Sequence, residues 1–387
     1  MGSTFPWFRS PVGDVGVAFG RDEARLLQVR ESAGHLRVAG AAWCPLPSLD
    51  GGSRPELEWG RALRVAVGSG GFAGRRCTIC LPREDLFMQS MKLPSMPDEE
   101  LAEAVAWEAA KQMGISRDQI RADWIRTGVS SPGGDESTVD RDGFVVVAAH
   151  REALDARLEA VWAAGLRPAA VETHCLAVAR LLSRHHRREA DAGNCRAVVE
   201  VGTEGSSVII LHGDQTTFCK ALDIGGRHFN ELVADKLSLD VEAARELRLA
   251  RLRGDANTTF IDPSTDRAVF EAVRPLLSEC AHNVLMCLRY AAVTFRGLTP
   301  CQIVLTGSNG SEPGLADQIA TACQVPVQLD DEQGSLARLE EDLRAMLPHD
   351  QGTAGAWVAA AGMSLRGFES APGKRTSTPS TERSAAA

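Results

Sequence analysis

Ala197-Val198-Val199-Glu200-Val201, Gly202-Thr203-Glu204-Gly205, Ser206-Ser207-Val208-Ile209-Ile210-Leu211-His212, Gly213-Asp214-Gln215 and Thr216-Thr217-Phe218-Cys219-Lys220-Ala221-Leu222 follow one another without a break. Three runs rich in apolar and β-branched residues alternate with two glycine-containing turns, which predicts a three-stranded meander. Gly225-Gly226 then opens a helix through Phe229, Leu232, Val233 and Leu237. Downstream, a long helix is expected from about Phe270 to Phe295, on the helical spacing of Val273, Leu277, Cys280, Val284, Cys287, Leu288 and Ala291. Cys301 to Leu305 reads as a strand, Thr306 to Gly310 as a loop, Leu315 to Cys323 as a helix and Val325 to Leu329 as a strand.

The first half of the chain opens in the same way. Val15 to Phe19 is a short apolar strand, Gly20 to Glu23 a turn, Ala24 to Arg30 a second strand and His35 to Trp43 a third. Arg76 to Leu81 is a buried strand leading into Phe87 to Leu93. Pro97-Asp98-Glu99-Glu100 is an acidic first turn, favourable against the helix dipole. It precedes a helix to Met113 with Leu101, Ala104, Val105 and Ala109 on one face and Gly114 as its stop. Phe144 to Ala149 is a strand, and Glu152 to Ala164 and Thr173 to Arg184 are helices. Two halves that each begin with a meander and continue into helices predict a duplicated α/β architecture.

Composition narrows the function. The 387 residues carry 42 Lys+Arg against 51 Asp+Glu, a formal net charge of −9. That balance argues against general nucleic-acid binding, which requires basic surface. No apolar run reaches the roughly 18 residues of a membrane helix, and Met1 to Ser10 lacks the apolar core of a signal peptide. Ten Cys are too sparse for a disulfide scaffold. The expectation is a cytoplasmic protein with no direct membrane insertion.

With these elements in place, the chain resembles the actin-like ATPase superfamily and, within it, the PilM-type pilus assembly proteins. The resemblance runs from about Val15 to Leu365. It is carried by Val15 to Gly20, Leu81 to Leu101 with its helix, Val199 to Thr203, Asp223 to Gly226, Glu242 to Arg248 and Val304 to Gly307. It implies an α/β fold, the duplicated ribonuclease H-like fold of actin-like ATPases, with an α+β subdomain inserted in the first half at about 81–149. The expected domains are 1–190, 196–366 and a disordered tail at 367–387, whose Ser, Thr, Pro and Ala cannot build a core. The loop from Ser130 to Glu136 and the polar run from Arg184 to Gly193 are the other breaks.

In that fold each half offers a hairpin to the phosphates of ATP, with glycines admitting the anion and a carboxylate holding Mg²⁺ or orienting water. The positions that match are Gly20 in the first hairpin, Glu200, Gly202 and Thr203 in the second, Gly226 at a helix start, and Gly307 and Ser308 in the adenosine loop. The register ending at Gly20 places every strand and turn and puts Ala18 at the carboxylate position. The alternative, Asp14-Val15-Gly16, would put Pro11 in a central strand. Ala18 binds no metal. Glu200 replaces the usual Asp and reads either as a metal ligand or as a hydrogen-bonded strand end. Glu204 adds negative charge beside a phosphate position, and Ser308 either crowds a purine or belongs to a plain turn. The expectation is a pseudo-ATPase with no catalytic residue, no metal site and at most weak binding of ATP and Mg. Cys77 and Cys80 have CxxC spacing but lie on opposite faces of a strand.

The resemblance also implies a partner, the cytoplasmic tail of a single-span membrane pilus assembly protein, docked by apolar side chains and backbone hydrogen bonds. Other components of the pilus machine are further expected partners, and the membrane-anchored partner would hold the protein peripheral at the inner membrane. The groove is expected between Leu81–Met113 and Phe144–Ala149, with Leu101, Val105, Trp107, Val145 and Val147 as contact residues. The competing readings are an ATPase whose ATP state gates pilus assembly, a sugar or acetate kinase, and a polymerising division protein. The last would need a C-terminal amphipathic helix that the tail does not offer.

Overall fold

Apolar runs buried on both faces build the centre of the first sheet in a computed structural model of the chain. The structure describes residues 12–32, 34–48, 54–131, 141–184, 193–253, 262–295, 299–330, 335–347 and 353–368. The tail beyond 368, residues 132–136 of the expected loop and residues 185–192 of the polar run lie outside them.

Strands β1 (Val15–Phe19), β2 (Glu23–Ser32) and β3 (His35–Pro45) form the predicted meander. Its register pairs Gly16 with Leu27 and Ala18 with Arg25, so the turn falls after Gly20. Helix α1 (Pro55–Ser69) follows, an element the sequence reading left unassigned. Gly60 and Gly68 lower its intrinsic propensity, and it holds by packing Trp59, Leu63 and Ala66 into the core. Strand β4 (Arg76–Cys80) lies parallel to β1.

The inserted subdomain comprises β5 (Leu86–Pro94), α2 (Asp98–Met113), β6 (Ile120–Ser131) and β7 (Arg141–His150). Helix α2 has the predicted bounds and ends on Gly114 at φ +69°, a left-handed turn that glycine adopts without strain. Helix α3 (Arg151–Ala163), β8 (Arg167–Glu172) and α4 (His174–Ser183) complete the first half. Strand β8 follows the expected helix stop directly. It tolerates Pro168 because it forms the edge of the first sheet, ordered β3-β2-β1-β4-β8.

The second half contains β9 (Cys195–Val201), β10 (Ser206–His212), β11 (Gln215–Leu222), α5 (Gly226–Leu237), α6 (Val241–Arg253) and α7 (Pro263–Thr294). Helix α7 starts seven residues before the expected Phe270 because Asp262 caps Thr265 and Pro263 fits the first turn. Then come β12 (Ile303–Thr306), α8 (Leu315–Cys323), β13 (Val327–Leu329), α9 (Ser335–Met346) and α10 (Val358–Leu365). The second sheet is ordered β13-β12-β9-β10-β11-β5-β7-β6, so the strands of the insert extend it, joined where Lys220 pairs with Gln89. The insert therefore belongs by hydrogen bonding to the second sheet, although its sequence interrupts the first half.

Helices α9 and α10, within the span 196–366 expected as a second domain, pack against the first half. Asp342 on α9 accepts hydrogen bonds from Arg37 and from the Val38 backbone. Ser364 on α10 donates to Asp14 O and accepts from Val29 N. Helices α4 and α10 lie between the two sheets, and one core cluster joins Ala18, Cys80, Ala177 and Ala360 to Val198, Ile209 and Val304. The outer face of the first sheet packs on α1 and α3, and that of the second on α5, α7 and α8. Cys77 and Cys80 enter different cores, as strand alternation requires. No helix among the described residues is long and apolar enough to cross a membrane.

Candidate functional site

Two candidate regions lie where the halves meet. The first is built by the hairpin turns. Gly20 N donates to Glu23 O at 2.8 Å, closing the first turn, and Gly202 N donates to Gly205 O at 2.9 Å, closing the second. Thr203 O accepts from Arg227 N and Gly202 O from Gly226 N, both at 2.9 Å, which pins the start of α5 to the second hairpin. A Cβ on Gly225 would lie 2.5 Å from Thr203 O, so the close approach requires glycine. Gly307 has φ +97°, and a Cβ there would meet Val201 O at 2.5 Å. Asn309 then locks the assembly. Its backbone N–H donates to Val201 O at 2.9 Å, and its Nδ2 donates to Gly202 O at 3.2 Å and to Ser308 Oγ at 2.9 Å. Ser308 O accepts from Thr353 Oγ1 at 3.1 Å.

The structure thus brings Gly202, Thr203, Gly226, Gly307 and Ser308 into one hydrogen-bonded knot, with Gly20 on the facing hairpin. Ala18 is buried at the end of β1 and offers no ligand. Asp14, the carboxylate of the alternative register, sits at the opposite end of that strand. It accepts from Arg76 Nε at 2.9 Å and from Thr78 Oγ1 at 3.2 Å. Glu200 lies on the inner face of β9, 3.7 Å from His174 Nδ1 at the start of α4. Burial disfavours the charged imidazole, but Cys80 and Glu200 beside it outweigh that, and its pKa stands well above the ordinary histidine value. Glu204 lies between Arg21 of the first hairpin and Arg227 of α5. A missing carboxylate at 18, a Glu200 turned to histidine and an internal anion at 204 do not fit magnesium and a polyphosphate.

The second region is a cavity of about 720 Å³ between the inserted sheet and the first half. Ile125 of β6, Val147 of β7, and Leu176 and Ala179 of α4 supply its apolar wall. Its polar end holds Glu172, which accepts from Arg180 and, at 2.8 Å, from Arg366. Of the expected groove stretches, Leu81, Leu86 and Val147 to Ala149 line this cavity, while Ile125, the run from Glu172 to Arg180 and Arg366 were not expected and come from segments with no shared local pattern.

The other expected contact residues lie elsewhere. Strand alternation puts Phe144, Val146 and Ala148 against α2, and Val145 and Val147 on the opposite face. Leu101 and Val105 are fully buried between α2 and the sheet, so they hold the insert together and present nothing to a partner. Val145 is closed into the shared core. Trp107 is 61% exposed on the outer side of α2, with Lys111 Nζ 5.5 Å from its ring centroid, and does not border the cavity. Trp107→Ala is therefore expected to change stability by less than about 0.5 kcal/mol, the range of ordinary surface substitutions. A thermal melt of the variant checks this.

Comparison with known proteins adds a family and a fold. Residues 16–368 match the family model described as type IV pilus assembly protein PilM. Among solved structures, a PilM–PilN type IV pilus biogenesis complex superposes with a TM-score of 0.69 at 22% identity, covering 92% of this chain and 99% of that one. The ethanolamine utilization protein EutJ from Carboxydothermus hydrogenoformans superposes with a TM-score of 0.51 at 15% identity, covering 92% and 90%. The architecture is the actin-like ATPase fold.

Proposed function

From the premise that this chain belongs to the PilM family of type IV pilus assembly proteins, we propose that it is a non-catalytic scaffold of the pilus machine. Its cavity between the inserted sheet and α4 receives the short cytoplasmic tail of a membrane-anchored pilus protein. Family membership supports the role in pilus assembly, and the structural relative is a complex of PilM with PilN.

The observation that carries the reading is the cavity. It has an apolar wall and the ion cluster of Glu172, Arg180 and Arg366, with Arg121, Asp123 and Asp214 also in its lining, and two sheet-edge strands border it: β6 of the second sheet and β8 of the first. An edge strand has unpaired backbone groups, and an extended peptide satisfies them while its alternate side chains enter apolar pockets. The protein would then be held at the inner membrane by its partner.

The test is a fluorescence titration with a peptide copy of the tail. Leu176→Ala removes part of the apolar wall and Ile125→Asp places a charge in it. Each is expected to weaken binding at least tenfold, about 1.4 kcal/mol, in protein whose melt shows it folded. Undiminished affinity in both folded variants would move the docking site elsewhere.

A further inference from the structure

Three guanidinium groups, drawn from both halves of the molecule, ring the turn Gly202–Gly205. Arg21 Nη1, on the first hairpin, lies 3.7 Å from Glu204 Oε2. Arg227 Nε, in the first turn of α5, donates to the same oxygen at 3.1 Å, while its Nη1 donates to Glu231 at 2.6 Å. Arg83, between β4 and β5, donates to Ser206 O and pairs with Asp223 at 3.2 Å. Gly205 makes room for it, since a Cβ there would lie 2.1 Å from Arg83 Nη1. Guanidinium forks around a glycine turn form an oxyanion site, because the fork matches carboxylate and phosphate and the missing side chains let the anion approach. Glu231 and the fully exposed Asp223 stand at the rim. Glu204, three-quarters buried, is the carboxylate that contacts both Arg21 and Arg227.

We propose that this is an oxyanion site whose resident ligand is the chain's own Glu204. The carboxylate links Arg21 of the first half to Arg227 of the second where a nucleotide phosphate would otherwise sit. The inference rests on the reading of the protein as a nucleotide-independent scaffold and names the device behind that independence. Partly exposed ion pairs contribute little stability, so the role of Glu204 is occupancy. A carboxylate attached to the turn competes as a tethered ligand, at an effective concentration in the millimolar range or above. Free phosphate must displace it and also face its charge.

The experiment is calorimetric titration with inorganic tripolyphosphate at low salt, on the wild type and on Glu204→Ala and Glu204→Gln. The wild type is expected to give no saturable binding. Both variants are expected to gain at least tenfold in affinity, to lose the gain when Arg227→Ala is added, and to weaken with salt as screening requires. A thermal melt establishes that each variant is folded. No gain in two folded variants, with the wild type still silent, overturns the role of Glu204 alone. Low-micromolar binding of Mg-ATP by the wild type overturns both this inference and the nucleotide-independent reading. The tail-peptide titration, read on the same samples, tests the docking groove separately.

Discussion

Arg248→Ala is expected to destabilise the protein by about 3 kcal/mol, read as a lower urea midpoint with an unchanged slope. Arg248, from α6, is 2% exposed and is the largest fully buried side chain among the described residues. Its Nη1 donates to Gly226 O at 3.0 Å and to Asn230 Oδ1 at 2.5 Å, and its Nη2 to Asn309 Oδ1 at 3.2 Å and Glu312 Oε2 at 2.5 Å. The guanidinium also lies 4.9 Å from the Phe229 ring centroid. Burial holds its pKa below the ordinary arginine value, and Glu312 offsets only part of that. Truncation leaves the Glu312 carboxylate buried, a change that costs about 3–5 kcal/mol when one partner of a buried pair is removed. The lower end applies because Arg251 Nη1 still faces Glu312 at 3.3 Å. Arg248→Lys is expected to recover only part of the loss, since an ammonium lacks the planar fork that reaches four acceptors. A cost below about 1 kcal/mol for the alanine variant would mean that the knot joining α5, α6 and the loop after β12 is not held by this residue.

Gly362→Ala tests the opposite half of the molecule and sets two effects against each other. Alanine in a helix interior is favoured over glycine by about 1 kcal/mol, so propensity alone predicts a gain. The packing predicts a loss. A Cβ at 362 would lie 1.9 Å from Ala177 O of α4, and a backbone atom cannot rotate away. Arg180 Nη1 also donates to Gly362 O at 3.2 Å, so a shift of α10 would strain that bond at the rim of the groove. Over-packing costs about 1–3 kcal/mol, and the upper end is expected because helix backbone must move. The melting temperature should fall by about 4 °C. A rise in melting temperature would show that α4 and α10 separate easily and that propensity dominates.

These two sites differ in how far they could be read in advance. The glycines at 202, 226 and 307 lie at strand ends and helix starts, positions where a local pattern signals close backbone approach. Nothing local to Arg248 distinguishes it from Arg245, which lies on the exposed side of the same helix and pairs with Glu242. Gly362 stands in a run of small apolar residues that reads as a buried helix, but its need to be glycine comes from Ala177, 185 positions away in the chain.

The sequence by itself determined the two meanders, the register that ends β1 just before Gly20, and helix α2 with its glycine stop. Alternation, turn chemistry and capping act over a few residues, so one chain carries them openly. Only the tertiary structure decided that α9 and α10 return to the first half, that the insert joins the second sheet, and that Leu101 and Val105 are core while Ile125, Val147 and Leu176 share a groove. It also placed Arg21 against Glu204, across 183 positions. Each of these depends on which faces meet between distant segments, and an apolar residue carries the same local signal whether it packs against its own sheet or lines a groove.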